Sequence, residues 1–248
     1  MTPAPYDYYD YTKYWRGRDY EHLAEKRAIE KFLAKIPSAQ KGSIVDIGGG
    51  FGRLASVYAP IFSNCLLVEP SFNLRIDAQK EAKKYENVQV KEGDVAKIPS
   101  PDNQFDVALM VRVAHHLPSP KSAFLEASRV LKPHGFFILE YANKLHFRAC
   151  LRAWQSKNLA FTKNLKPVNQ NTEKAMIPFL NHHPKLIEKE LAEAGFKILH
   201  GLSVSNFRHP LVKKIIPQFF LMAMETVLQR PLYTCYFGPS IFILAQKT

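Results

Sequence analysis

The sequence predicts an α/β fold: an open, doubly wound and mostly parallel sheet with helices on both faces. Three observations carry this prediction. Strand-like and helix-like segments alternate between residues 43 and 142. The strand-like segments are apolar almost without interruption, the pattern of strands buried on both faces and covered by helices. The first of them, "SIVDI", runs straight into "GGGFG", a turn holding four of the chain's eleven glycines.

Residues 19–36 place Leu23, Arg27, Ile29, Phe32, Leu33 and Ile36 at roughly helical spacing, and Pro37 stops the helix. Strand 43–47 then leads through the glycine turn into a short helix over 51–60. Strand 64–69 precedes a helix over 72–85, and strand 88–94 follows. Residues 105–113 read as a long buried strand. Ser119 as N-cap and Pro120 in the first turn open a helix ending near Leu131. Strand 135–142 comes next. Pro184 opens a helix that Gly195 closes, strand 196–204 follows, and an apolar helix spans 209–229. The last strand, 240–246, is expected to be antiparallel. The chain divides into an N-terminal lid and helix (1–40) and a main domain (41–248), with a basic helical insertion at about 144–182.

With 248 residues and 46% apolar content, the chain can bury one large core, and it does not have the composition of a disordered protein. Lys and Arg outnumber Asp and Glu by 34 to 22, a formal charge of +12, which points to an anionic partner, an RNA or an anionic membrane surface. Cys65, Cys150 and Cys235 are scattered and odd in number, against a disulfide framework or structural zinc and in keeping with a reducing, cytoplasmic setting. The N-terminus is polar and aromatic, unlike a secretory signal. The apolar run 215–228 is interrupted by Pro217, Gln218 and Glu225 and is too short to cross a bilayer. A soluble protein with peripheral membrane or lipid contact is the expectation.

The glycine turn locates the site. In an open parallel sheet, ligands bind beyond the carboxyl ends of the strands, at the switch point beside the first strand. Gly48, Gly50 and Gly52 let a ligand lie against bare backbone. A helix beginning near Phe51 would add free N–H groups. The dinucleotide fingerprint does not fit: counted from Gly48 its last glycine falls on Arg53, and counted from Gly49 its second falls on Phe51. The pattern is D-x-G-x-G-x-G, and the Asp46 carboxylate, hostile to a pyrophosphate, suits a ligand with a positive centre. Glu69 ends the second strand 23 residues later, placed for ribose hydroxyls. Asp94 ends the third strand, able to accept from an adenine amino group, with Val95 giving a backbone N–H and apolar cover.

Three carboxylates at three consecutive strand ends suit an adenosine that bears a cation. With "VDIGGGFGR", "VEPS", "EGDVAKIPSPDNQFDVALMVRVAHHLPSP" and "RVLKPHGFFILE", the chain resembles class I S-adenosylmethionine-dependent methyltransferases over residues 41–142, most of all the subgroup of ubiquinone/menaquinone-biosynthesis methyltransferases. The resemblance implies a Rossmann-like, seven-stranded sheet whose last strand is antiparallel, with S-adenosylmethionine at the switch point. By position it carries over Asp46, Gly48, Gly50, Gly52, Glu69, Asp94 and Val95 as cofactor contacts. One departure is "KPHG", where the family usually has Lys-Pro-Gly-Gly; His134 is expected at a strand start, away from the cofactor.

Methyl transfer from an activated sulfonium needs an aligned nucleophile, and a base only if that nucleophile arrives protonated. His115 and His116, after the fourth strand, are the candidates to orient the acceptor or take its proton. Arg112 could contact the cofactor or a substrate acid. Six tyrosines and Trp15 fall between residues 6 and 20, a segment that commonly folds over the cofactor in this family. There Tyr14 offers an aromatic face to the sulfonium, and Arg16 or Arg18 a partner for the cofactor carboxylate.

Residues 144–174 carry seven basic residues and one acid, with Lys144, Arg148 and Arg152 spaced as one helical stripe and Phe147, Leu151 and Trp154 beside it. Together with the apolar helix 211–228 this suggests a small hydrophobic or anionic acceptor. RNA or protein acceptors stay open on charge, although no N-P-P-[YF]-type motif follows the fourth strand. A non-catalytic cofactor-binding protein stays open as well. No ligand spacing indicates a metal, with His115-His116 and His182-His183 read as turn residues. Oligomeric state has no signature in the sequence.

Overall fold

The computed structural model describes residues 14–158, 160–170 and 178–248. Most of the lid expected from the N-terminal tyrosines therefore lies outside the described residues. Seven strands form the main sheet: β1 (Ser43–Ile47), β2 (Asn64–Val68), β3 (Val88–Lys91), β4 (Phe105–Met110), β5 (Leu131–Ala142), and the late strands β8 (Phe196–Val204) and β9 (Ser240–Lys247). A two-residue ladder, β6 (Val168–Asn169) with β7 (Leu180–Asn181), stands apart in the insertion. The sheet order is β3-β2-β1-β4-β5-β9-β8. β9 alone runs against its neighbours, pairing antiparallel with both β5 and β8. The Rossmann-like expectation with an antiparallel final strand holds.

Two apolar cores lie on opposite faces of the sheet. One face is covered by α1 (Asp19–Leu33) and α2 (Ala55–Tyr58), which supply Ala24, Ile29, Phe32 and Val57. The other is covered by α4 (Lys121–Val130) and α6 (Pro184–Glu193), which supply Phe124, Ala127, Ile187 and Leu191. β1, β4 and the inner part of β5 are buried throughout, which is why the sequence shows continuous apolar runs rather than alternation.

Several boundaries differ from expectation for local reasons. α2 has only four residues, because turns occupy 51–54, so no long helix points its N-terminus at the glycine turn. β4 stops at Met110, where the chain turns through Arg112 at φ +65°. The expected helix 209–229 is two helices, α7 (Pro210–Ile215) and α8 (Gln218–Tyr233), separated at Pro217. Ser119 does not cap α4; its hydroxyl donates to Glu190 and Pro120 occupies the cap position. His134 lies inside β5 rather than before it, at φ +62°, the left-handed region that glycine serves at least cost.

The expected basic stripe also breaks. α5 (Phe147–Gln155) begins after Lys144, because Asn143 bends the chain by accepting from the Leu145 N–H (2.9 Å). Arg148 and Arg152 stay exposed on α5. Lys144 is buried instead, its ammonium donating to the Asn164 and Lys166 carbonyls.

Candidate active site

β1 sits at the reversal of strand order, paired with β2 on one side and β4 on the other. Ligands of open parallel sheets bind beyond the carboxyl ends of such strands, and Asp46, Glu69 and Asp94 lie at or just past the ends of β1, β2 and β3.

The turn after β1 is tied down by its own backbone: the N–H groups of Gly48 and Gly49 donate to the Val68 carbonyl (2.8 and 3.2 Å). Its glycines serve two different needs. A Cβ on Gly48 would lie 2.4 Å from Val113 Cγ2, so that position is bare because of internal packing. Gly50, at φ +57°, has nothing within 4 Å of where a Cβ would sit; its bare side faces open space. Glu69, buried at the end of β2, braces this side of the turn: Oε2 accepts from the Gly50 N–H (2.9 Å) and Oε1 from the Ser71 N–H (3.0 Å). Ser71 in turn caps α3 (Phe72–Ala82), accepting from the Leu74 N–H.

Asp46 is buried at the end of β1, and its Oδ2 has no hydrogen-bond partner within the protein. Burial pushes its carboxyl up to about 7, against the pull of the Tyr58 hydroxyl and the Arg53 guanidinium. A positive ligand group would oppose that shift. Asp94 is exposed beyond β3, one oxygen accepting from the Ala96 N–H (2.8 Å) in a local turn, and Val95 packs its side chain on the core.

The α1 side of the site rests on a carboxylate that motif reasoning did not single out. Glu25 is fully buried and binds two arginines: Oε2 accepts from Arg53 Nη2 (2.7 Å) and Oε1 accepts from Nε (2.8 Å) and Nη2 of Arg112. Burial alone would raise its carboxyl, but Arg112 and Arg53 outweigh burial and hold it below the ordinary carboxylate range. Arg53 stacks over Trp15 at 3.8 Å. A direct cofactor contact by Arg112 would therefore have to be made alongside this ion pair. The Arg112 backbone N–H donates to Glu140 Oε2 (2.9 Å), and Glu140, buried in β5, also accepts from Ser240. Of the expected lid, Arg18 donates to the Tyr14 hydroxyl (3.1 Å) and lies over the Tyr14 ring, while Arg16 is exposed.

His115 and His116 form a single turn, Ala114–His116. His115 is buried between the His116 ring (3.9 Å between centroids) and the Phe179 ring (4.4 Å), and its Nδ1 has no partner. Burial, then the neighbouring His116, Arg112 and His182, hold it neutral well below the ordinary imidazole range. His116 is half-buried, with Nδ1 2.9 Å from the Pro178 carbonyl. A carbonyl only accepts, so Nδ1 carries the proton. Burial pulls its pKa down to about 4, partly offset by that bond. His182 is buried behind this turn and donates through Nε2 to the Ala114 carbonyl (3.0 Å), while His183 caps α6. Among the described residues, no group of three or more His, Cys, Asp or Glu side chains could hold a metal ion.

The insertion borders an open pocket of about 290 Å³, lined by Lys144, Ala149, Arg152, Phe161, Val168 and Asn181 among others. Asn181 directly precedes His182, which links this cavity to the histidine turn.

A glycine turn and a carboxylate at the switch point of a doubly wound sheet are the geometry of a Rossmann-like domain. Residues 45–139 match the family model described as "Methyltransferase domain". The chain is 30% identical over 124 residues to the uncharacterized methyltransferase YcgJ of Bacillus subtilis, covering 49% of each. It is 29% identical over 123 residues to the ubiquinone/menaquinone biosynthesis C-methyltransferase UbiE of Rickettsia bellii, covering 46% of this chain and 49% of that one. The chain thus spans about half the length of the curated relatives it matches. A SAM-dependent methyltransferase of Thermotoga maritima shares the fold at TM-score 0.63 and 20% identity, over 98% of this chain and 99% of that one. Residues 45–139 are thus similar to methyltransferase domains, on a fold shared with S-adenosylmethionine-dependent methyltransferases, and this likeness implies S-adenosylmethionine as the cofactor.

Proposed function

We propose that the chain transfers the cofactor's methyl group, by in-line displacement, to a small acceptor that is hydrophobic or anionic. The observation that carries this reading is the crevice at Gly50: a side chain's worth of open space over bare backbone, braced by Glu69 and flanked by the unpartnered Asp46 Oδ2. These features fit an adenosine with a positive centre. We assign Glu69 to the ribose hydroxyls, Asp94 and Val95 to the adenine edge and face, and Gly50 to the backbone under the ligand, with Gly48 and Gly52 shaping the turn, since a Cβ on either would meet Val113 or Glu81. Asp46 faces the positive end. Tyr14 and Arg18 cover it from the α1 side, and Arg112 acts there while held by Glu25.

When bound, the cofactor supplies a methyl group already activated on sulfur. The chain's task is alignment, which supplies up to about 7–11 kcal/mol in the best cases. His116 is neutral, and its Nδ1–H donates to the Pro178 carbonyl, which fixes the ring. A pKa near 4 makes it better suited to orient an acceptor O–H or N–H than to remove the proton outright. His115 packs behind it as its rigid backing. Arg152, exposed in the lining of the insertion pocket, supports an anionic acceptor, and Ala149, Phe161 and Val168 an apolar one.

The test is turnover with a labelled methyl donor against lipid, quinol, RNA and protein pools. Label in the lipid or quinol pool is expected. Label in RNA or protein would replace the acceptor class, and cofactor binding without label in any pool would make the chain a non-catalytic binder.

A further inference from the structure

Helix α8 is inside out. Its buried face carries Leu221, Glu225 and Gln229, two of them polar. Glu225 accepts from the Tyr20 hydroxyl (2.7 Å) and from the Ser205 and Asn206 N–H groups (2.8 and 3.1 Å). Gln229 donates to the Ala24 carbonyl (3.2 Å) and accepts from Lys31 (2.9 Å). These bonds fix the helix on α1 and on the turn after β8 and leave its rotation no freedom. The opposite face is apolar: Phe219 is 78% exposed, Val227 72% and Phe220 59%, and Met224 lies between them on the same side. On α7, Ile215 is 77% and Leu211 62% exposed, one turn apart. A helix pinned by a polar interior to present phenylalanines outward has an apolar surface for something else to cover.

Charge selects the occupant. Residues 205–239 contain Arg208, Lys213, Lys214 and Arg230 and a single acid, Glu225, which is buried. Lys214 and Arg230 are exposed on the two helices that carry the apolar side chains, and Lys213 is paired with Glu21 (3.0 Å). A second copy docked by two-fold symmetry would set these cations against themselves. Apolar side chains rimmed by cations complement an anionic lipid surface, where rings and aliphatic chains enter the acyl boundary and lysines meet headgroups. No helix among the described residues is long and apolar enough to cross a membrane, so contact by this face would be peripheral. We propose that α7 and α8 form a docking face for an anionic bilayer surface. This inference is independent of the acceptor and of methyl transfer.

The test is co-sedimentation of the full chain with vesicles of phosphatidylcholine alone and with added phosphatidylglycerol. Binding to the anionic vesicles is expected, released by salt. A Phe219→Ser/Phe220→Ser/Val227→Ser variant should lose at least about tenfold in partitioning, because bilayer affinity scales with buried apolar area. A Lys214→Gln/Arg230→Gln variant should lose about fivefold per charge on anionic vesicles only. All five side chains are exposed, so thermal unfolding of both variants should match the parent. Failure of the parent chain to bind anionic vesicles, or undiminished binding by the apolar variant, would overturn the proposal. So would a parent dimer in sedimentation velocity that the apolar variant abolishes, which would assign the face to a second copy.

Discussion

Adding one methyl group at Gly50 separates ligand space from folding. In the structure a Cβ there meets nothing within 4 Å, so Gly50→Ala brings no clash in the ligand-free protein. It does bring the backbone cost of a left-handed L-residue at φ +57°, about 1–2 kcal/mol of stability. If the cofactor lies against this backbone, the methyl also has to push the ligand away or force the turn to shift. Overpacking of that kind costs about 1–3 kcal/mol, or about 5- to 150-fold in affinity. Gly48→Ala is the control: its Cβ would come 2.4 Å from Val113, so its cost falls on folding. The assays are urea unfolding and calorimetric titration with S-adenosylmethionine. Gly50→Ala should stay folded and bind weakly. A Gly50→Ala protein that binds as tightly as the parent would refute the placement of the ligand over the turn.

Three further outcomes follow from single features. Glu25→Ala leaves Arg53 and Arg112 without their buried partner and should cost about 3–5 kcal/mol in chemical denaturation; a loss under about 1 kcal/mol would mean water reaches the pair. His134→Gly relieves a left-handed residue in β5 and should add about 1 kcal/mol, or about 2–4 °C in Tm; an unchanged or lower Tm would show that the His134 side chain contributes in its own right. His116 and His146 are both pulled by burial to about 4, so the unfolded chain takes up protons that the folded chain refuses. Stability should therefore fall as pH drops from about 6.5 toward about 4, by up to about 1.4 kcal/mol per pH unit for each proton. Asp46, raised to about 7, takes up its proton in the folded chain over the same window and offsets one of the two; a Tm that rises toward pH 4 would show that the histidines protonate in place.

The sheet was legible because its strands are buried on both faces, which leaves unbroken apolar runs that only the boundaries can blur. The ligand end of the site was legible for a related reason: a glycine turn followed by Glu69 and Asp94 at fixed strand ends is a local pattern. Glu25 was not, because a glutamate in a helix reads as a solvated residue, and only the fold brings Arg53 and Arg112, 28 and 87 residues away, onto it. Lys144 misled by its i, i+4 spacing, since Asn143 ends the strand with a side-chain-bonded turn before the helix begins. The inverted face of α8 was invisible for the opposite reason: apolar content says nothing about which side of a helix is bound, and polar anchors such as Tyr20–Glu225 decide it.

S-adenosylmethionine should bind at the carboxyl ends of β1, β2 and β3. Calorimetric titration of the full chain with S-adenosylmethionine and with NAD, repeated on Glu69→Gln, tests it directly. Saturable binding of S-adenosylmethionine, none of NAD, and at least about tenfold weaker binding by Glu69→Gln are expected, since a charge-assisted hydrogen bond contributes about 1.5–3 kcal/mol. No binding of S-adenosylmethionine, preference for NAD, or an indifferent Glu69→Gln would contradict it.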